Sequence, residues 1–316
     1  MAKIPVGKTI AFSYGFTFGH IGTIIGQVWL PMLLLTLGGF FVVSPYYESF
    51  SQAVAQDNAA LVEQAAATIL IYLLISLIFY AMIYVSLTRE ALGLSHSHSL
   101  FHFSLGVAEW RMYGAIVAFA FVFAIVMLLI FLAAGLLSSV AVAVLGAAGL
   151  APELATAAKT GIVPKATSPM VTAVGSAISL MILFAGAYVF VRLFSLLAPV
   201  TVAEEQISLG RGWQLTSRNF WRLFLVLLAT LGPIFLLVMI GEAILVGPDA
   251  MTVQRDGSFA ETAARMERMR PHLPMLYGLS FVLSPFIFGL MLSGSAFAYR
   301  ALVPPPAART AIADVP

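Results

Sequence analysis

The chain has 316 residues, of which 61% are hydrophobic and 9% charged, where soluble domains run at about 45–50% apolar and about 25% charged. So few charges cannot clothe a soluble surface, which excludes a soluble enzyme, a disordered chain and a nucleic-acid binder. A mean hydropathy of +0.99 places the chain among multi-span membrane proteins. Net charge is +2 and there is no cysteine, so disulfides, thiolate metal sites, thiol nucleophiles and palmitoylation drop out.

In chain order, the N-terminal Met-Ala-Lys-Ile-Pro-Val-Gly-Lys lacks the apolar region and cleavage site of a secretory signal and is expected to be retained. A semi-polar segment at 7–20 follows. It leads into the first of six runs that can cross a hydrocarbon core about 30 Å thick, for which about 20 apolar residues are needed. The runs are 21–43, 67–88, 114–137, 174–197, 223–246 and 276–302. The third has no clear end. Apolar residues continue through 138–150, as an outer helical extension or a surface-lying segment. A seventh span there would put the chain ends on opposite sides and spoil the charge pattern. The expected fold class is an all-α integral membrane protein of six transmembrane helices, one membrane domain over 1–316 with a short disordered tail at 304–316.

With six spans, one side holds both termini and the loops near 89–113 and 197–222. Ten of the sixteen Lys and Arg fall there, giving that side +5 and the other −3. Lys and Arg near span ends mark the cytoplasmic side, so both termini are expected inside, in a bacterial inner membrane. Four further basic residues, at 255–270, share a longer polar loop with four acids and weigh less.

Each odd span is preceded by a semi-polar segment, at 7–20, 96–112 and 201–221. In the third, Val202, Leu209, Trp213, Thr216 and Phe220 fall on one face at helical spacing, with Glu205, Ser208, Arg211 and Arg218 elsewhere. Such a helix can lie among headgroups before turning into the bilayer. The first segment aligns with it at an offset of 197, matching Gly15 to Gly212 and Phe16 to Trp213. In the second, Leu100, Phe103, Val107 and Trp110 fit a helix face, although Phe101, Phe103, Leu105 and Val107 also alternate as a strand would. Analogy with its neighbours favours helix. Each even span closes on an arginine, Arg89, Arg192 or Arg300, with Tyr84, Tyr188 or Tyr299 before it, the usual interfacial anchors. The expected unit is therefore an interfacial helix plus a helical hairpin, repeated over about 7–90, 96–200 and 201–303.

The stretch from Ala203 to Phe224 contains Glu204 and Glu205, then Gly212-Trp213, then Arg218-Asn219-Phe220 before an apolar run. It resembles the segment before the fifth span in the membrane domain of glycerophosphoryl diester phosphodiesterase and related bacterial six-span proteins. In that enzyme the chemistry belongs to a separate soluble barrel. The longest polar stretch here, 247–274, has fewer than 30 residues. The resemblance therefore implies a membrane domain without the phosphodiesterase, and carries over no catalytic residue.

Few residues offer chemistry. His96, His98 and His102 are the densest cluster of metal-ligand types, with Glu109 as a further donor, but no zinc motif spacing is present; a headgroup-facing polar segment is the preferred reading. Glu242 is the one acid inside an apolar run. It stands 20 residues after Arg222, about 30 Å along a helix, so it is expected near the outer interface, as a plain interfacial carboxylate or a proton or cation site. Pro31, Pro233 and Pro285 interrupt spans one, five and six and read as kinks. Gly22-x-x-x-Gly26 and Gly289-x-x-x-Ser293 read as packing patterns, and Gln27 as facing a neighbouring helix. Ser258-Phe-Ala-Glu261 is a capping box before a short outer helix over 262–270. No phosphate-binding loop and no nucleophile elbow occurs.

The expected function is a non-enzymatic membrane scaffold or lipid-interacting component, with no cofactor and no metal. Membrane lipids are the expected partners, with other membrane proteins beside them and no nucleic acid. Arg211, Arg218 and Arg222 are the candidate contacts with anionic headgroups. The alternative is a small-molecule or ion transporter built on the repeats, for which a polar cavity at the membrane midplane is the discriminating feature.

Overall fold

Lipid offers no hydrogen bonds to a backbone, so a spanning chain must bond its own N–H and C=O groups, as helices or as a closed barrel. This chain takes the helical solution. The computed structural model describes residues 3–45, 59–94, 105–149, 169–247 and 268–303, and no strand occurs among them. The helices are α1 (Val6–Gly19), α2 (Ile21–Gly38, prolonged by a π turn over Gly39–Val43), α3 (Ala59–Leu92), α4 (Val107–Ala147) and α5 (Pro169–Phe194). After these come α6 (Leu197–Ala203), α7 (Leu209–Thr216), α8 (Phe220–Val246) and α9 (Leu273–Leu302, entered by a 3-10 turn over Arg270–His272). Six helical stretches are long and apolar enough to cross a membrane: Ile21–Val42, Ala66–Leu92, Val107–Ala147, Thr172–Ala203, Phe220–Val246 and Arg270–Leu302. Their outward faces are leucine, isoleucine and phenylalanine, as at Leu128, Leu183, Leu236 and Ile244. Apolar exposure on this scale is what a lipid-facing surface requires.

The chain divides into two units, 1–117 with 195–316, and 118–194. In the first, α9 is the central helix. Phe297, Gly294, Gly289 and Phe286 descend α9 while Phe12, Ser13, Thr17 and Phe18 ascend α1 against them, so the two run antiparallel. α2 continues along the same helix, with Ile24 still against Gly289 and Phe40 meeting Tyr277. α8 also runs antiparallel to α9, pairing Val226 with Gly294 and Gly241 with Leu279. α3 runs parallel to α9: Tyr80 and Tyr84 pack on Phe288, and Arg300 Nη2 donates to the Ala91 carbonyl at 2.9 Å.

The seam between α1 and α9 has small residues at its middle, between the ring pairs Phe12–Phe297 and Phe18–Phe286. Thr9, Ser13 and Thr17, spaced by four, lie with Phe16 on the buried face of α1. A Cβ on Gly289 would stand 2.8 Å from Thr17 Cγ2, and one on Gly294 would stand 2.7 Å from Ser13 Oγ. Only glycine permits that approach, which is the packing expected of Gly289-x-x-x-Ser293. Gly22 has open space instead, so the first pattern is not a close contact at that end.

In the second unit the early part of 118–147 in α4 packs antiparallel on α5. Phe119 meets Phe190 and Phe194, and Met127 meets Gly186. α4 is one unbroken helix to Ala147, so the apolar residues 138–147 extend the third span as helix. Residues 150–168 lie outside the described residues.

The segment expected as one helix over 201–221 is broken, into the end of α6, the whole of α7 and the first residues of α8. α6 ends at Ala203, and Glu205 adopts a left-handed backbone with φ 52°, a conformation that costs a non-glycine residue energy and turns the chain sharply. Ser208 then caps α7, its Oγ accepting the Arg211 N–H at 3.2 Å. The segment at 96–112 is described only from 105. There Val107 and Trp110 are exposed in the first turns of α4 itself, and the Glu109 carboxylate accepts the Gly106 N–H at 2.8 Å. The helix at 7–20 is present as α1, lengthwise against α9. Leu100, Phe103, the capping box at 258–261 and the tail at 304–316 lie outside the described residues.

Candidate functional site

Two layers of the first unit carry polar chemistry. One is at mid-depth. Phe18 is level with Phe286 and Ile24 with Gly289, which sets His20 at the same height on α9. Gly289 is 11 residues before Arg300, roughly 16 Å, or about half of a 30 Å core. At this level α1 ends and α2 begins, with His20 out of helical geometry at φ −117°, ψ 23°. Its ring stacks on Phe16 at 4.7 Å, its Nδ1 lies 3.1 Å from the Phe16 carbonyl, and the side chain is exposed. Reading 7–20 as a surface segment hid this residue. The signal that could have found it is the spacing of Thr9, Ser13 and Thr17, a face too small and regular for a headgroup-lying helix.

Gln27, two turns on, is 2% exposed and its Oε1 has no hydrogen-bond partner among the described residues; nor does Thr17 Oγ1. Two span prolines have their consequences absorbed. Each removes the N–H that would bond the carbonyl four residues back. Pro233 frees the Ala229 carbonyl, which accepts the Tyr14 hydroxyl at 2.9 Å. Pro285 frees the Phe281 carbonyl, which accepts Ser284 Oγ at 2.7 Å. Other buried hydroxyls bond within their own helix, Thr230 to the Val226 carbonyl and Ser293 to that of Gly289. Between α8 and α9, beside Thr230 and Gly294, lies a cavity of about 10 Å³. That is space for no more than about one water.

The second layer is the charged end, where α9 finishes and α1 and α8 start. Glu204, at the α6–α7 break, accepts from Arg211 Nε at 3.2 Å and from the Tyr299 hydroxyl at 3.1 Å. Glu205 pairs with Arg111 Nη1 at 3.1 Å. Arg222 Nη1 donates to the Ile4 carbonyl at 2.7 Å, and the Ile4 N–H donates to Asn219 Oδ1 at 3.2 Å. These bonds fasten the N-terminal strand of chain to the corner between α7 and α8. Of the three arginines singled out from the sequence, Arg211 is thus held by an acid, Arg222 is partly committed to a carbonyl, and Arg218 is exposed. In the second unit Arg192 is buried, its Nη1 donating to the Tyr188 hydroxyl at 2.7 Å and its guanidinium 5.3 Å from that ring.

Glu242 lies in the last turn of α8, half-buried and next to Gly241, which packs on Leu279. It is far along the helix from His20 and Gln27, and the structure does not bring it together with them. His96, His98 and His102 lie outside the described residues, among which no group of three His, Asp or Glu is placed to hold a metal ion. Compared with protein-family models, curated proteins and solved structures, the chain matches none.

Proposed function

We propose that the protein is a non-enzymatic membrane scaffold whose cytoplasmic face engages lipid headgroups, in the manner of a membrane domain of the glycerophosphoryl diester phosphodiesterase type. The observation that carries this reading is the α1–α9 seam. Glycine and hydroxyl residues bring α1 and α9 into van der Waals contact, leaving no path between these two helices, where a transporter needs a wet one. The basic residues, by contrast, are biased to one side, ten of the sixteen Lys and Arg belonging with the two termini, as a face that contacts anionic lipid requires. The test is flux. Proteoliposomes holding the purified chain should pass protons, sodium ions and small phosphodiesters no faster than protein-free vesicles. Flux above that background overturns the scaffold reading.

A second reading has its own observation. A helix broken at mid-depth beside a histidine and an unpartnered glutamine is how several transporters build a binding site. If flux is found, His20→Ala should abolish it and Glu242→Gln should leave it unchanged. The reverse pattern would return the role to the outer carboxylate.

A further inference from the structure

The charged end sorts its cations. Arg111 and Arg211 face glutamates, and Arg300, though exposed, is tied by Nη2 to the Ala91 carbonyl. Lys3, Lys8 and Arg218 are exposed, and no ion pair joins them to an acid among the described residues. They belong to one corner. Lys3 precedes Ile4, whose N–H is held by Asn219, the residue after Arg218. Lys8 is in the first turn of α1, four residues after Ile4, and Arg222 reaches the Ile4 carbonyl. An apolar track leaves this corner. Trp221, Leu225 and Leu228 are 65%, 49% and 55% exposed and follow one another at spacings of four and three, on one face of α8.

We propose that this corner binds one anionic phospholipid, its phosphate held by Lys3, Lys8 and Arg218 and an acyl chain lying along Trp221, Leu225 and Leu228. This rests on the lipid-contact reading above and moves it away from Arg211. The chemistry favours a lipid over an acidic protein segment. Guanidinium and ammonium groups suit a phosphate. An exposed tryptophan in the first turn of a span sits where headgroups meet acyl chains. The leucines beyond it offer a peptide's charges nothing.

The experiment uses the full chain in nanodiscs of equal phosphatidylglycerol and phosphatidylcholine, with native mass spectrometry counting the lipids that stay on the released protein. The wild type should retain phosphatidylglycerol preferentially. A K3Q/K8Q/R218Q variant should lose that preference by at least about tenfold, since each cation near an anionic surface contributes measurably to binding. An R111Q/R211Q variant, which removes cations already paired in the protein, should keep it, as should K3R/K8R/R218K. Equal retention by wild type and K3Q/K8Q/R218Q overturns the proposal, and so does an equal loss in R111Q/R211Q. Excess inorganic phosphate should not strip the bound lipid; if it does, the site takes a free anion and not a phospholipid. Flux in the proteoliposome assay would end the scaffold reading while leaving this retention ratio where it is, so the two failures are distinguishable.

Discussion

The α1–α9 seam and the α4–α5 hairpin both carry ring contacts, but only the seam adds close backbone approach at glycine between them. In the seam, Gly289 and Gly294 let backbones close onto Thr17 and Ser13. In the hairpin, Phe119, Phe190 and Phe194 meet as rings, and the glycine there, Gly186, faces the end of a flexible side chain, Met127 Sδ at 3.2 Å from a notional Cβ. Lipid tails are as apolar as leucine, so burying apolar surface between spans gains little. Close approach and hydrogen bonds must supply the specificity. The seam therefore defines the geometry of the first unit, while the hairpin can lose or gain a methyl group at low cost.

The sharpest way to break that contrast is a matched pair of substitutions. Gly289→Ala places a methyl against β-branched Thr17, which is stiff at χ1, and is expected to cost about 1–3 kcal/mol. Gly186→Ala meets a thioether that can swing aside and is expected to cost less than about 1 kcal/mol. Unfolding of both variants in detergent micelles measures the difference. Equal losses would mean that the seam is no tighter than the hairpin.

A smaller effect tests the hydrogen bond that joins α1 to α8. Tyr14→Phe leaves the Ala229 carbonyl, already deprived of a donor by Pro233, without a partner, at an expected cost of about 1 kcal/mol. In a Pro233→Ala background the residue at 233 again has an N–H to offer that carbonyl. Tyr14→Phe should then cost appreciably less, and a double-mutant cycle reads the coupling. A cycle with no coupling would show that the tyrosine does not serve the proline's carbonyl.

How far the sequence foretold this arrangement depends on what each residue says alone. Helix count was legible, because runs such as 223–246 are apolar for long enough that no other structure could satisfy their backbones in lipid. The partnering of α1 was not. Its threonines, serine and glycines read as semi-polar, and only the opposing glycines on α9, about 270 residues later, make that face a core. The break at Glu205 was equally hidden. A left-handed glutamate has no sequence signature, and its reason is spatial: Glu204 must reach both Arg211 and Tyr299. Among the candidate headgroup arginines, residue type was legible and occupancy was not, since Arg218 and Arg211 differ only in having a glutamate in reach. His20 was missed for the same cause as α1.

On the hairpin side, Phe190→Leu should cost about 0.5–1 kcal/mol, the ring-specific part of its contact with Phe119 and Phe194, because lipid can refill what the ring vacates. A loss as large as that of Gly289→Ala would erase the distinction between the two regions.

The smallest effect is the most informative about function. Gln27 is buried, yet its Oε1 bonds to nothing among the described residues. A buried amide with an idle acceptor contributes little to stability, and replacing it by an apolar side chain of similar shape can be neutral. Gln27→Met should therefore shift the unfolding midpoint hardly at all, within about 0.5 kcal/mol. If the chain is a scaffold, Gln27→Met is silent in flux as well. If the break at His20 is a binding site, the same substitution leaves the fold intact and removes transport, because a group kept at a cost to packing is then kept for its ligand. A large loss of stability would contradict both readings, and would mean that the amide is a structural bond between α2 and its neighbours.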